Sequence, residues 1–206
     1  MRSVAVLEVI DLACHRGDRL LFRGMSFRLK PGDVMHVRGE NGCGKTTLLR
    51  TLCGLTQPAA GKIHWQGQSI HEQFERFRQQ LCYIAHGNAI HGDLTPVENL
   101  QFAACWAGEG RSNARSVLSG LGLGRVAGLS SKLLSQGQKR RVALARLSSL
   151  CTLWILDEPF AALDTRAIEQ LRLVLSQHLD RGGMCLLTSH QEVAIAGRQA
   201  HTLDLT

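Results

Sequence analysis

The chain has 206 residues, 44% of them hydrophobic and 20% charged, which is enough apolar material for a full globular core. No stretch approaches the ~18 to 20 uninterrupted apolar residues that a spanning helix requires. The formal charge of +7 comes from scattered Lys and Arg, clustered tightly only at Lys139-Arg140-Arg141, which reads as a solvated basic face. Aromatic residues make up only 5%, too few for a base-stacking platform, so a nucleic-acid partner is not expected. The seven cysteines include no C-x-x-C pair and leave an odd one out, which argues against a disulfide framework and for a reducing cytosol. The nine histidines show no H-E-x-x-H spacing.

In chain order, Val4 to Ile10 and Met25 to Leu29 read as strands around a turn at Arg16-Gly17-Asp18. Glu8 interrupts the first apolar run, which therefore reads as a strand and not a secretion signal. Val34 to Arg38 is a strand that enters a Gly-rich loop, and Lys45 to Cys53 is a helix. Leu81 to Ala85 is a further short apolar strand. Thr95-Pro96-Val97-Glu98 then opens a helix with a Thr N-cap, Pro at N1 and Glu at N3, running to about Trp106. A second helix, about Arg111 to Leu121, ends in the glycines between Gly120 and Gly124. Ser135-Gln136-Gly137-Gln138 forms another capping box and starts a helix to about Leu150. Leu153 to Leu156 is a buried strand, Thr165 to Leu179 a helix and Met184 to Thr188 a strand. Strands alternating with helices predict an α/β fold with a mostly parallel sheet flanked by helices and antiparallel strands near the N-terminus. One domain is expected over residues 1–206, with a helical subdomain inserted at about 87–134.

Two motifs carry chemistry. Gly39-Glu40-Asn41-Gly42-Cys43-Gly44-Lys45-Thr46 matches G-x-x-x-x-G-K-[ST] between a strand and a helix. Its glycines let backbone N–H groups face phosphates, and the helix start, which continues through Thr47, adds positive potential. Lys45 is expected at the β- and γ-phosphates and Thr46 on Mg2+. Leu153-Trp154-Ile155-Leu156-Asp157-Glu158 is an apolar strand ending in two carboxylates at the edge where α/β sheets bind ligands. There Asp157 would hold Mg2+ through water, and Glu158 would orient the attacking water and take its proton. Together they read as a P-loop nucleoside triphosphatase.

Leu134-Ser135-Gln136-Gly137-Gln138 resembles the L-S-G-G-Q signature of the ABC ATPases, with Gln136 in place of the first glycine. The resemblance implies that Ser135, Gly137 and Gln138 form a second anion site facing the ATP of a second nucleotide-binding subunit. Ala161-Ala162-Leu163-Asp164 looks like the family's D-loop, and His190 resembles its switch histidine. The family's Mg2+-binding Gln after the strand before the helical insert is replaced here by His86, kept as a sensor and metal-site candidate. Its adenine-stacking aromatic is replaced by Arg16, or by His15. Cys43, beside Lys45 and a helix start, is either a reactive thiol whose alkylation blocks turnover or a passive small residue.

Five stretches are similar to one branch, the ATP-binding subunit of the haem exporter of cytochrome c maturation. They are His64-Trp65-Gln66-Gly67, Tyr83-Ile84-Ala85-His86-Gly87, the run from Leu94 to Leu100, the run from Arg140 to Leu147, and the run from Leu153 to Phe160. That resemblance implies an enzyme using ATP and Mg2+, an integral membrane subunit of the haem-maturation complex as partner, and a peripheral position on the cytoplasmic side of a bacterial inner membrane. A small ABC exporter motor with lipid, drug or lipoprotein cargo is the alternative.

Overall fold

The computed structural model describes residues 6–106, 113–190, 195 and 198–205. The chain opens with a long hairpin, β1 (Leu7–Arg16) and β2 (Arg19–Leu29), followed by β3 (Val34–Arg38) and α1 (Lys45–Leu52). Next come β4 (Ala60–Trp65), β5 (Gln68–Ser69), α2 (Phe74–Gln79) and β6 (Leu81–Ile84). Helices α3 (Pro96–Trp106), α4 (Ala114–Gly120) and α5 (Gln136–Leu144) precede β7 (Leu153–Leu156), α6 (Thr165–Asp180), β8 (Met184–Thr188) and β9 (His201–Asp204). β1, β2, β4 and β5 form an antiparallel sheet in the order β2-β1-β4-β5. The other five strands form a parallel sheet in the order β6-β7-β8-β3-β9.

Several elements differ from the sequence expectation. The first hairpin extends through Arg16 and Arg19, which pair across a two-residue turn, so both strands are longer than expected. Val4 and Ala5 of the expected first strand, and Arg111 and Ser112 of the second insert helix, lie outside the described residues. The α5 helix stops at Leu144, and a 3-10 turn over Ala145–Ser148 carries the chain toward β7. β4, β5, α2 and β9 were not anticipated. In β4 only Ile63 and Trp65 point fully inward, and β9 is a polar edge strand, so neither shows a long hydrophobic alternation.

Strands β3, β7 and β8 bury both faces, as the centre of a sheet covered on two sides must. On one face, Met35, Val37, Leu153, Ile155, Met184 and Leu186 pack with Leu48, Leu49 and Leu52 of α1 and with the antiparallel sheet. On the other, Val34, Leu156, Cys185 and Leu187 pack against Leu171, Leu175 and Leu179, an i, i+4, i+8 stripe of α6. A third cluster, including Leu100, Leu118, Leu123 and Val142, joins α3 and α4 to the flank of α5. Thr95 and Glu98 cap α3 reciprocally: the Glu98 N–H donates to Thr95 Oγ1 at 3.2 Å, and the Thr95 N–H donates to Glu98 Oε2 at 2.8 Å.

Candidate nucleotide-binding and catalytic site

Parallel pairing sets the site. Because β6, β7, β8 and β3 run the same way, their C-terminal ends share one edge, and the next residues of four separate segments meet there. β3 leads into the Gly39–Thr46 loop, β6 into His86, β7 into Asp157 and Glu158, and β8 into His190. A cavity of about 250 Å3 at this edge is lined by Asn41, Gly42, Gly44, Lys45, Thr46 and Thr47. His86, Asp157, Glu158, His190, Arg16 and Leu21 complete its walls.

The loop geometry follows from its glycines. Gly39 has φ 146°, and a Cβ there would come within 2.6 Å of both Cys43 Sγ and the Leu205 carbonyl, so only glycine fits. The Cys43 thiol beside Gly39 is half-buried and packs against the core. Gly44 caps α1 with φ 112° and no side-chain cap, leaving the helix N-terminus for an external acceptor. Lys45 Nζ donates to the Gly39 carbonyl at 2.6 Å and to the Glu40 carbonyl at 3.0 Å. An ammonium has three N–H donors, so one remains to face a ligand.

Behind the loop lies a continuous hydrogen-bond chain. Thr46 Oγ1 donates to Asp157 Oδ2 at 2.9 Å, and Thr188 Oγ1 donates to Asp157 Oδ1 at 2.8 Å. Thr188 Oγ1 in turn accepts the Glu158 N–H at 2.9 Å. Asp157 is 3% exposed and anchored on both oxygens. Glu158 sits in the left-handed region at φ 49°, and its Oε1 is buried without a hydrogen bond. His190 Nε2 stands 3.5 Å from that oxygen, within ion-pair reach but outside hydrogen-bonding geometry.

Ser135, Gly137 and Gln138 do not enter this cavity. They form the start of α5, where the capping box is complete: the Gln138 N–H donates to Ser135 Oγ at 3.2 Å, and the Ser135 N–H donates to Gln138 Oε1 at 2.9 Å. Ser135 is exposed, and Gly137 lies so close to the Ala162 carbonyl that a Cβ would approach it to 2.8 Å. Two site residues escaped sequence reasoning. Thr188 is legible once β7 and β8 pair, since the Leu156–Leu187 register puts it beside Asp157. Arg140 was read as part of a solvated basic cluster, yet it is 3% exposed. Its spacing to the buried Ala143, Leu144 and Leu147 was the available signal, because i, i+3, i+4 and i+7 share a helix face.

Comparison with known proteins agrees with this geometry. Residues 22–161 match the family model described as ABC transporter. The cytochrome c biogenesis ATP-binding export protein CcmA of Dechloromonas aromatica is 50% identical over 203 residues, covering 97% of this chain and 100% of that protein. The protein of the same name from Nitrosospira multiformis is 46% identical, covering 97% and 98%. Among solved structures, an ATP-binding subunit of an ABC transporter superposes with a TM-score of 0.81 at 29% identity, covering 90% of this chain and 79% of that one. The ATP-binding cassette MJ0796, dimeric and bound to ADP and Pi in a post-hydrolysis state, shares the fold with a TM-score of 0.78 at 21% identity, covering 90% and 88%. The chain belongs to the ABC transporter ATP-binding family, among the cytochrome c biogenesis ATP-binding export proteins.

Proposed function

We propose that the chain is the ATP-hydrolysing subunit of a transporter complex for haem handling in c-type cytochrome biogenesis, acting as a dimer on a membrane subunit. The observation that carries the hydrolytic reading is the buried Oε1 of Glu158, free of hydrogen bonds in the phosphate-loop cavity, with His190 at ion-pair distance. A carboxylate in that position orients a water and takes its proton as attack on the terminal phosphate begins. The third Lys45 N–H and the uncapped start of α1 hold the phosphates, His190 supports the water-orienting carboxylate, and the exposed Arg16 guanidinium offers a flat face to the base. Asn41, Gly42, Gly44 and Thr47 shape the same wall.

The residues present also fit Mg2+. Thr46 Oγ1 and Asp157 Oδ2 are hard oxygen donors 2.9 Å apart at the cavity wall, the type that magnesium prefers. His86, a nitrogen donor at the rim, would act through a metal-bound water. When bound, Mg2+ neutralises charge developing on the transferred phosphoryl group.

Dimerisation is supported by the separation of the α5 start from the cavity: we read Ser135, Gly137 and Gln138 as an anion site for the nucleotide of a second chain. Residues 87–134 are read as a helical arm within one ABC ATPase domain spanning 1–206. Among the described residues no helix is long and apolar enough to cross a membrane, so membrane attachment is assigned to an integral membrane subunit. A groove of about 690 Å3 lined by Ile90, Leu94, Leu100 and the 65%-exposed Phe102 begins three residues after His86, at Ala89, and is its proposed seat. The haem assignment rests on the relatives named for cytochrome c biogenesis export.

The test is affinity purification of tagged Glu158→Gln protein from membranes with ATP, followed by mass spectrometry. Recovery of a haem-maturation membrane subunit is expected. Recovery of an unrelated permease overturns the haem assignment, and an absence of ATP hydrolysis by the wild type overturns the enzymatic one.

A further inference from the structure

Arg140 is a buried cation surrounded by carbonyl oxygens. Its Nη2 donates to the Asp157 carbonyl at 2.8 Å and the Glu158 carbonyl at 2.7 Å. Its Nη1 donates to the Ala85 carbonyl at 3.0 Å and to Asn88 Oδ1 at 3.3 Å, and Nε donates to the Pro159 carbonyl at 3.4 Å. Those five bonds use all five N–H donors of a guanidinium. No carboxylate pairs with it among the described residues, so burial draws its pKa down while the nearby Asp157 and Glu158 charges push it back up. A buried charge is costly, and surface basic residues do not need such a cradle.

The cradle joins α5 to two separate segments at the edge of the cavity. Arg140 lies on α5, five residues after Ser135. Its acceptors are the backbone of Asp157, Glu158 and Pro159 and the segment Ala85–Asn88 that flanks His86. The Glu158 carbonyl belongs to the residue held at φ 49°, a conformation that a non-glycine side chain adopts only under constraint. Thr188 holds the N–H side of Glu158 and Arg140 holds its carbonyl side.

We propose that Arg140 is a positioning residue that fixes Glu158 in its left-handed conformation and locks it to both α5 and the His86 loop, so that displacement of the Ser135 end of α5 reaches the water-orienting carboxylate. The proposal rests on the reading of the chain as a two-site ATPase. In that dimer Ser135 faces the partner's nucleotide while Glu158 of the same chain serves its own, so Arg140 is the link through which one site informs the other. Its role depends on the planar fork: a lysine keeps the charge but cannot span carbonyls on both segments.

The experiment compares wild type, Arg140→Lys and Arg140→Gln for kcat and KM of ATP hydrolysis, and determines the crystal structure of Arg140→Lys. Both variants are expected to keep KM within about twofold and lose about tenfold or more in kcat, with no rescue by lysine. In the structure Glu158 is expected to leave the left-handed region, with the Ala85–Asn88 segment displaced. Wild-type turnover in the lysine variant, or a loss carried wholly by KM, overturns the proposal. Wild-type turnover is measured first: its absence defeats the ATPase reading alone, and an unmoved Glu158 in the Arg140→Lys structure then overturns the positioning role independently. Should both Arg140 variants fail to fold, Asn88→Ala removes one acceptor from the fork at a half-buried site. A fall of about two- to fivefold in its kcat at unchanged KM is expected, and no change overturns the proposal.

Discussion

Replacing Thr188 by valine isolates the hydrogen bonds that hold the Asp157 carboxylate and the Glu158 backbone. Thr188 is fully buried at the end of β8, and valine fills nearly the same volume, so no cavity opens. What is lost is the donation to Asp157 Oδ1 at 2.8 Å and the acceptance from the Glu158 N–H at 2.9 Å. Leaving the buried carboxylate one bond short costs about 1.5 to 3 kcal/mol, and the stranded N–H about 1 kcal/mol more. The added methyl offsets roughly 0.8 kcal/mol, which leaves a net destabilisation of about 2 to 3 kcal/mol. For a chain of this size that lowers Tm by about 5 to 10 °C. Urea unfolding followed by fluorescence of the three tryptophans measures it, as a shift in midpoint at constant m. ATP hydrolysis should fall as well, because the Asp157 carboxylate and the Glu158 backbone are both anchored through Thr188. Thr188→Ser, which keeps the hydroxyl, should retain activity. A valine variant with a stability loss below about 0.5 kcal/mol and unchanged turnover would refute the reasoning.

Lys45→Ala removes the ammonium bound to the Gly39 and Glu40 carbonyls, and should weaken binding of a fluorescent ATP analogue by about tenfold or more while changing stability by less than about 1 kcal/mol; unchanged affinity would remove Lys45 from the phosphate site. Gly183→Ala drives a methyl into the His178 ring, which stacks on Trp154 with centroids 3.6 Å apart, and should cost about 1 to 3 kcal/mol in urea unfolding; a neutral effect would mean that the ring can swing away. His178 has its pKa pushed down to about 4, chiefly by burial, with its hydrogen bond to the Met184 carbonyl opposing. The folded state therefore resists a proton that the unfolded chain accepts near pH 6.5, so the stabilisation is complete above about pH 6.5 and is lost as pH falls toward 4. Discounted for solvent screening, the loss is about 2 kcal/mol. His178→Gln should flatten that part of the pH–stability curve, and an unchanged slope would show that other groups set it.

The phosphate loop, the carboxylate pair and the capping boxes were readable because each is a local pattern with a local cause. Three to eight consecutive residues define a turn, a cap or a strand end. His86 and His190 were singled out through the resemblance to the ABC ATPases, whose motif order sets one after the strand before the helical insert and the other after the strand that follows the carboxylate pair. Thr188 and Arg140 could not be recognised that way, since their partners are 30 or more residues away for Thr188 and belong to two separate segments for Arg140. A threonine after four apolar residues reads as an ordinary strand end until β7 is set beside it. An arginine inside Lys-Arg-Arg reads as surface until α5 is rotated onto the core. β4 and β9 were missed for a related reason: as strands with one or no fully buried face, they carry too few inward residues to show a period of two.

If one chain carries halves of two different nucleotide sites, the loop cavity with Glu158 and the exposed start of α5 with Ser135, then ATP must join two chains. Sedimentation velocity of Glu158→Gln protein, with and without saturating Mg-ATP, tests it most directly. The protein is expected to be a monomer without nucleotide, a dimer with ATP, and a monomer again when Ser135 is also replaced by arginine. A Glu158→Gln protein that stays monomeric at saturating ATP would contradict it.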